Sequence, residues 1–238
     1  MIDVHCHFDL VDNPVKYITE NEKKKIVTIG MTNLPSHFQM GVNHVRQYKY
    51  IRLALGLHPL LANQHSTEYS NFLKSIDQTS YIGEVGLDFS KEGYSSKEIQ
   101  LKSFEFVLKN VQNKKKILSL HSRKAEKEVL EMLIKYKIKN AIFHWYSGSI
   151  KVISDIVKNN YYFSINSAMI YSENGKKIIS QIPRDLILTE TDTPYIDNSN
   201  ISSIFKYLSG TWKISENEVE RIIDDNFKRL LSKIKTST

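Results

Sequence analysis

The chain begins with MIDVHCHF, residues 1–8, and this segment is the most informative one about the fold. An apolar start leads into two histidines, His5 and His7, that stand two residues apart. Residues two apart in a β-strand share one face, so both imidazoles should lie on one side of a short strand and Cys6 on the other. If this strand is the first of a barrel, both histidines face inward at its carboxyl end, where a metal ion could bind. We therefore interpret Cys6 as a small buried packing residue rather than a ligand.

Seven further apolar runs follow along the chain, and most are separated by stretches with helical periodicity. The eight predicted strands are Met1–His7, Ile26–Met31, Ile51–Leu57, Tyr81–Leu87, Ile117–His121, Ala141–Trp145, Tyr161–Ile165 and Leu186–Thr189. Strands that alternate with helices favour a parallel sheet, and eight such units in 238 residues predict a closed (β/α)8 TIM barrel. The rival is a doubly wound open sheet, but that fold usually carries a glycine-rich turn after its first strand, where this chain has HCH.

Two more helices are predicted after the last strand, over roughly Ile201–Leu208 and Ser215–Ile234. Ser215 and Glu218 have the spacing of a capping box, which favours the start of the second helix at that point. Neither an internal repeat nor a low-complexity linker interrupts the chain. We therefore predict a single domain over residues 1–238 with an additional C-terminal helix on the barrel.

The composition of the chain excludes several classes of protein. No stretch approaches the roughly 20 apolar residues of a membrane span, and no N-terminal signal segment is present. The one cysteine excludes an intrachain disulfide, so we expect a cytoplasmic protein with no membrane partner. The formal net charge of +7 suits a phosphate-rich partner such as DNA. Lysine runs such as Lys114–Lys116 would also stabilise helix ends, so charge alone leaves both interpretations open.

Further candidate ligands stand at or just after the ends of later predicted strands. They are Glu84, His121, His144 and Asp192. The carboxyl ends of all strands in a barrel open onto one face, so these side chains should converge with His5 and His7. A single buried histidine is more often a hydrogen-bonded core residue, but so many at one rim would each need a separate partner. Imidazoles and carboxylates together suit two divalent metal ions, with zinc, manganese or magnesium as candidates.

Other residues near these strand ends are candidates for substrate binding. His58 follows a strand and would contact substrate or cap its loop, and Arg123 would hold a phosphate or form a salt bridge with a rim carboxylate. Trp145 and Tyr146 would stack on a base or pack between barrel and helices. Three remaining histidines fall in helical or loop segments and are interpreted as surface residues: His37, His44 and His65.

Taken in order, the motifs resemble those of the TatD-related metal-dependent deoxyribonucleases, a branch of the amidohydrolase-type barrels. The matching stretches are IDVHCHFD, GLHP, GEVGLD, LHSR, FHWYSGS and TETDTPY, with DNFKRLL as the closing motif. The resemblance implies one metal ion at His5, His7 and Asp192, a second at His121 and His144, and Glu84 bridging the two. It departs from the family after Tyr195, because residues 196–203 lack the usual basic stretch, which puts the usual substrate preference in question.

A narrower resemblance is to QatD, the TatD-like component of the four-component Qat antiphage system of bacteria. It is carried by HCHFDL, LHSR, HWYSGS, FSINSAM and IPRDLILTETDTP. That system also encodes an ATPase and a QueC-like enzyme. The resemblance therefore implies these proteins as partners and antiviral defence as the setting.

The resulting hypothesis is metal-assisted hydrolysis of phosphodiester bonds in DNA, with Glu84 and Asp192 as catalytic residues and Asp192 as the proton acceptor. One alternative is another metal-dependent hydrolase that acts on a small amide, lactone or phosphoester. A second alternative is a non-catalytic barrel that serves as a binding component of a defence complex. Loss of a ligand would be expected in that case, yet all six candidates are present.

Overall fold

The computed structural model describes residues 1–234 of the chain. Their strand segments are β1 Ile2–Cys6, β2 Val27–Gly30, β3 Ile51–Leu53, β4 Leu55–Leu57, β5 Tyr81–Gly86, β6 Ile117–His121, β7 Ala141–His144, β8 Tyr162–Ile165 and β9 Ile187–Thr189. β3 and β4 are two halves of one barrel strand, interrupted at Ala54. The eight predicted strands are thus all present, within one or two residues of their expected ends except where Ala54 divides the third.

All strand pairs are parallel, and each strand pairs with its neighbours in sequence. β3 pairs with β2 and β4 with β5, so the interrupted strand carries the sheet onward. The ring closes between β9 and β1, where Thr189 Oγ1 donates to the carbonyl of Ile2 at 2.5 Å and the amide of Asp192 donates to the carbonyl of His5 at 3.0 Å. The predicted (β/α)8 barrel is confirmed.

Helices surround this barrel and cover its strands. Within residues 1–234 they are α1 Pro14–Lys23, α2 Pro35–Val45, α3 His65–Ser75, α4 Lys97–Val111, α5 Glu126–Lys135, α6 Ile150–Lys158, α7 Ser167–Tyr171, α8 Glu173–Ile179, α9 Ile201–Trp212 and α10 Glu216–Ser232. The capping box of Ser215 and Glu218 opens α10 as predicted. Asn226 fixes this helix to the barrel by donating to the carbonyl of Ile187 at 2.8 Å. Among the described residues, none of the helices has the length and apolar character needed to cross a membrane.

The strands are buried on both faces, as expected for a parallel sheet covered by helices. All five residues of β1 are buried, and the thiol of Cys6 points away from the barrel axis toward the carbonyl of Ile29. At the end of β5, Gly86 has a φ of +141°, and a Cβ there would lie 2.0 Å from the carbonyl oxygen of His121. Only glycine allows this close approach of β5 to β6, which brings Glu84 and His121 side by side.

Candidate metal centre

The carboxylate of Glu84 lies at the centre of the carboxyl-end rim. It is 2% exposed, and five histidines direct one ring nitrogen each toward it. Around Oε2 lie His7 Nε2 at 3.1 Å, His58 Nε2 at 3.3 Å and His5 Nε2 at 3.5 Å. Around Oε1 lie His121 Nδ1 at 2.5 Å and His144 Nε2 at 3.2 Å. The two oxygens of one carboxylate therefore face two different groups of imidazoles.

Asp192 joins the group on the Oε2 side. Its Oδ1 lies 3.6 Å from His5 Nε2 and 4.0 Å from His7 Nε2. The residue has a φ of +50°, a left-handed conformation that is uncommon for a non-glycine residue and concentrates at functional sites. His144 lies close to both groups, because its ring stacks on that of His5 with centroids 3.7 Å apart. All six predicted ligands are therefore together, while their division between two ions stays a prediction.

Behind three of these imidazoles lies a polar group, which is within hydrogen-bond distance for His5 and His121 and within ion-pair distance for His144. Nδ1 of His5 lies 2.8 Å from Ser119 Oγ, Nε2 of His121 lies 2.8 Å from Asp88 Oδ2, and Nδ1 of His144 lies 3.4 Å from Glu190 Oε1. Such outer partners fix the tautomer and orientation of a metal-ligating histidine. Sequence reasoning did not single out these partners. Ser119 could have been found, because it stands two residues before His121 on the same face of β6.

Glu190 is a fully buried carboxylate whose hydrogen-bonding capacity is met from several directions. The backbone N–H of Trp145 donates to it at 3.0 Å and the side-chain amide of Asn166, through Nδ2, at 2.8 Å. The hydroxyl of Ser164 also donates. Burial opposes the charged form, but the neighbouring His144 outweighs burial and lowers the pKa of Glu190. This ionised group can therefore hold the ring of His144 from behind.

The pKa values of the site, in the absence of a cation, follow from burial and close opposite charges. Burial opposes ionisation of Glu84, but the imidazoles of His58, His144 and His121 outweigh it and hold the pKa of Glu84 well below its usual range. For Asp192 burial dominates and raises the pKa to about 7. Burial likewise lowers the pKa of His5 to about 3, so this imidazole is neutral at physiological pH. A neutral imidazole is the form that binds a metal ion.

A divalent cation fits this set of side chains. Among the described residues, several buried ring and carboxylate atoms have no hydrogen-bond partner, including His5 Nε2 and Asp192 Oδ1. Buried polar atoms without partners are costly and rare in native proteins. Because these two atoms lie 3.6 Å apart, one cation between them would satisfy both. The same neighbourhood contains groups whose ligand atoms all lie within 4.8 Å of one another, such as His5 with His144 and Asp192.

A cleft of about 530 Å³ opens onto Glu84 from the solvent side. Its walls include all the predicted substrate-binding residues, His58, Arg123 and Trp145, together with Leu60 and Tyr195. Trp145 is 36% exposed and has a φ of +36°, whereas the neighbouring Tyr146 is buried. Of the two aromatic residues considered for stacking on a base, Trp145 is therefore the one that faces the cleft.

Two residues near the cleft bear on the alternatives left open by the sequence. Arg123 is exposed and donates to Glu92 Oε2 at 3.2 Å, so the salt bridge with a rim carboxylate is present in this structure. An exposed pair of this kind is weak and can open for an anion. Tyr195 is 56% exposed, and its ring meets that of His7 edge-on with centroids 5.0 Å apart. Residues 196–203, which include no lysine or arginine, therefore follow directly after a residue of the cleft wall.

One histidine assignment was wrong. His65 was interpreted as a surface residue, but it is 1% exposed, and its Nε2 lies 3.0 Å from the carbonyl oxygen of His58. The 3₁₀ turn Pro59–Gln64 folds the chain back, so that the first residue of α3 lies under the end of β4. His44 is exposed as predicted, and His37 is half-buried.

Comparison with known proteins agrees with this geometry. The family model described as TatD related DNase matches residues 2–232. The chain belongs to this family. It is 26% identical to the uncharacterized metal-dependent hydrolase MJ1582 of Methanocaldococcus jannaschii, over 95% of this chain and 94% of that protein. It is 24% identical to the human deoxyribonuclease TATDN3, over 99% of this chain and 96% of that protein.

The barrel also matches a solved structure of this family. The crystal structure of YJJV, a TatD homolog from Escherichia coli K12, superposes with a TM-score of 0.84 over 97% of each chain, at 21% identity. This likeness confirms the fold. Together with the family match, it makes the chain a metal-dependent hydrolase of the TatD family, as the sequence motifs predicted.

Proposed function

We propose that this TatD-family hydrolase is a nuclease that cleaves phosphodiester bonds of DNA. The observation that supports this most directly is the carboxylate of Glu84, which has imidazoles around both of its oxygens and opens onto a cleft. One carboxylate shared between two groups of histidines suits a pair of cations that act on one phosphate. Basic and aromatic residues at the cleft, Arg123 and Trp145, suit a phosphate and a base respectively.

The proposed ligand set is the one that the family resemblance implies. His5, His7 and Asp192 would hold one cation, and His121 and His144 the other, with Glu84 shared. So many imidazoles favour zinc, manganese or a comparable transition ion over magnesium, which prefers oxygen ligands. When bound, such ions activate water and neutralise charge on the phosphate.

Asp192 is the proposed proton acceptor of the reaction. Its Oδ1 has no hydrogen-bond partner among the described residues, and its carboxylate lines the cleft. As a side chain that can contact both a cation and a water molecule in the cleft, Asp192 is placed to accept a proton from that water.

The test is hydrolysis of single-stranded and double-stranded DNA by the purified protein after removal of metal and addition of zinc, manganese or magnesium. We expect turnover that depends on added metal and is lost in Asp192→Asn combined with His5→Ala. His44→Ala is the matched control, because His44 is exposed and lies outside the site. Activity that survives the double variant would exclude this assignment. Preferential cleavage of RNA, or of a small amide or phosphoester, would replace DNA by that substrate.

We further propose that this activity serves a cytoplasmic antiphage system, with an ATPase and a QueC-like enzyme as partner proteins. The support is the narrower resemblance of HCHFDL, HWYSGS and IPRDLILTETDTP to QatD. The test is phage plating on cells that carry the complete gene set with either the wild-type chain or Asp192→Asn. Loss of protection with the variant, at unchanged protein level and with co-purification of the partners intact, is the expected result. Equal protection by the wild-type chain and by Asp192→Asn would show that protection does not depend on catalysis by Asp192.

A further inference from the structure

His58 lies at the end of β4, in the GLHP stretch, where the 3₁₀ turn Pro59–Gln64 begins. Its side chain lines the cleft, and its Nε2 lies 3.3 Å from Glu84 Oε2. The ligand atoms of His58, Glu84 and His121 all lie within 4.8 Å of one another. By distance alone, His58 would count as a further ligand of a second cation.

For two of the predicted ligands, His121 and His5, the partner on the other ring nitrogen indicates which nitrogen carries the hydrogen. The carboxylate of Asp88 behind His121 and the hydroxyl of Ser119 behind His5 can each accept a hydrogen bond. A neutral imidazole carries one hydrogen, and an accepting partner holds it on the nitrogen that it faces. When the ring is neutral, the nitrogen that points toward Glu84 keeps its lone pair, which is the condition for binding a cation.

His58 has the opposite arrangement. Its Nδ1 accepts a hydrogen bond from the backbone N–H of Leu60 at 3.2 Å, because the ring caps the 3₁₀ turn. Since Nδ1 must offer its lone pair to that N–H, the hydrogen of the neutral ring is on Nε2. The contact of His65 with the carbonyl of His58 at 3.0 Å fixes the backbone in this position. The nitrogen that faces Glu84 is therefore a donor, and a protonated ring nitrogen cannot bind a metal ion.

We infer that His58 is not a metal ligand and instead donates its Nε2–H to a phosphate oxygen of the substrate. This inference rests on the proposed phosphodiester substrate. Without substrate, the N–H is directed at Glu84 Oε2, the acceptor nearest to it at the rim. His58 lines the same cleft as Leu60 and Arg123. Its N–H is therefore available to an oxygen of a phosphate bound in that cleft.

Metal binding tests the first half of the inference. His58→Ala and His121→Ala are compared with the wild-type chain by equilibrium dialysis against zinc and manganese. We expect His58→Ala to keep the metal content and the affinity within about twofold, because it removes no lone pair from the site, whereas His121→Ala loses bound metal. Long-range ¹H–¹⁵N spectra of the zinc-loaded protein should show His58 protonated at Nε2. A loss of metal from His58→Ala equal to that from His121→Ala, or an unprotonated Nε2, would overturn the inference.

Binding of inorganic phosphate to the metal-loaded protein tests the second half. Calorimetry should show about tenfold weaker binding to His58→Ala, since one hydrogen bond to a charged group is lost. His58→Asn should retain part of the affinity. Asparagine is a favoured capping residue that can keep the bond from Leu60 and still offer an amide N–H. This variant also keeps the test informative if His58→Ala fails to fold.

The outcomes separate this inference from the proposed function. If wild-type protein binds phosphate through His58 but does not cleave oligonucleotides, the role of His58 stands and the nuclease assignment falls. If oligonucleotides are cleaved and His58→Ala binds phosphate as tightly as wild type, the nuclease assignment stands and the inference on His58 is wrong.

Discussion

Charged residues differ in burial and in pairing between the two ends of the barrel. At the amino end, Lys114 pairs with Asp77 at 2.7 Å on the surface, and Lys116 donates to the carbonyls of Ile76 and Thr79 at 2.7 and 2.6 Å. These lysines are solvated or hold a turn. At the carboxyl end, Glu84 is buried, and unpaired ring and carboxylate atoms face one another around it.

This difference distinguishes the charges that contribute to stability from those that contribute to chemistry. The ammonium of Lys116 already has carbonyl acceptors. Around Glu84, by contrast, several buried ring and carboxylate atoms have no hydrogen-bond partner among the described residues, and a bound cation would satisfy them. In barrels of this type the carboxyl end carries the active site and the amino end carries stability. The lysine runs that make the sequence basic are therefore a weaker sign of function than the histidines are.

The largest effect is expected from Glu84→Gln. An amide keeps the shape of the side chain but removes the charge that both groups of imidazoles face. Since bound metal contributes several kcal/mol to such a reaction, kcat/KM should fall about a thousandfold or more. Kinetics with an oligonucleotide and metal analysis of the purified variant are the measurements. Near-wild-type turnover would mean that Glu84 is not shared between cations.

Removal of metal should have the next largest effect. A cation that binds only the folded protein adds about 2.7 kcal/mol at a concentration one hundred times its dissociation constant. For a domain of this size that corresponds to a rise in Tm of about 5–10 °C. Thermal unfolding is compared for metal-free protein, protein with added zinc or manganese, and Glu84→Gln under both conditions. An equal rise in the variant would place the binding elsewhere in the chain.

The sequence was informative wherever a strand ended. Apolar runs located the strands, and the shared rim of a barrel then brought His5, Glu84 and Asp192 together without any knowledge of distances. The support behind the histidines could not be read in this way. Whether Asp88 faces His121 or solvent depends on the direction of its side chain beyond the strand, which has no periodicity.

The misplacement of His65 has a different cause. The burial of that residue depends on a 3₁₀ turn that brings it under His58, and no local pattern marks a contact seven residues back along the chain. The hydrogen bond from the backbone N–H of Leu60 to the ring of His58 depends on the same turn. Turn geometry, which the sequence did not predict, thus decides whether this histidine is a donor or a ligand.

A smaller effect is expected from Asp88→Asn, which alters only the support of one histidine. Asp88 accepts from His121 at 2.8 Å with one oxygen and from the backbone N–H of Ser90 at 2.8 Å with the other. Whichever way the amide turns, one of these donors meets an N–H, so either the hydrogen bond that orients His121 or the one from Ser90 that orients residue 88 is lost. We expect metal affinity to fall roughly 10- to 100-fold. Unchanged affinity in a normally folded variant would show that Asp88 does not orient His121.

The smallest effect is expected from Lys114→Gln combined with Lys139→Gln at the amino end. Both lysines are exposed, and they stand just before β6 and β7. A five-residue strand such as β6 spans roughly 13 Å, which exceeds the Debye length of about 8 Å at physiological salt, so charges at one end are largely screened from the other. We expect kcat/KM for DNA within about twofold of wild type, whereas Arg123→Gln, at the carboxyl end, should raise KM. A loss of DNA binding in the double lysine variant as large as that in Arg123→Gln would show that nucleic acid also contacts the amino end.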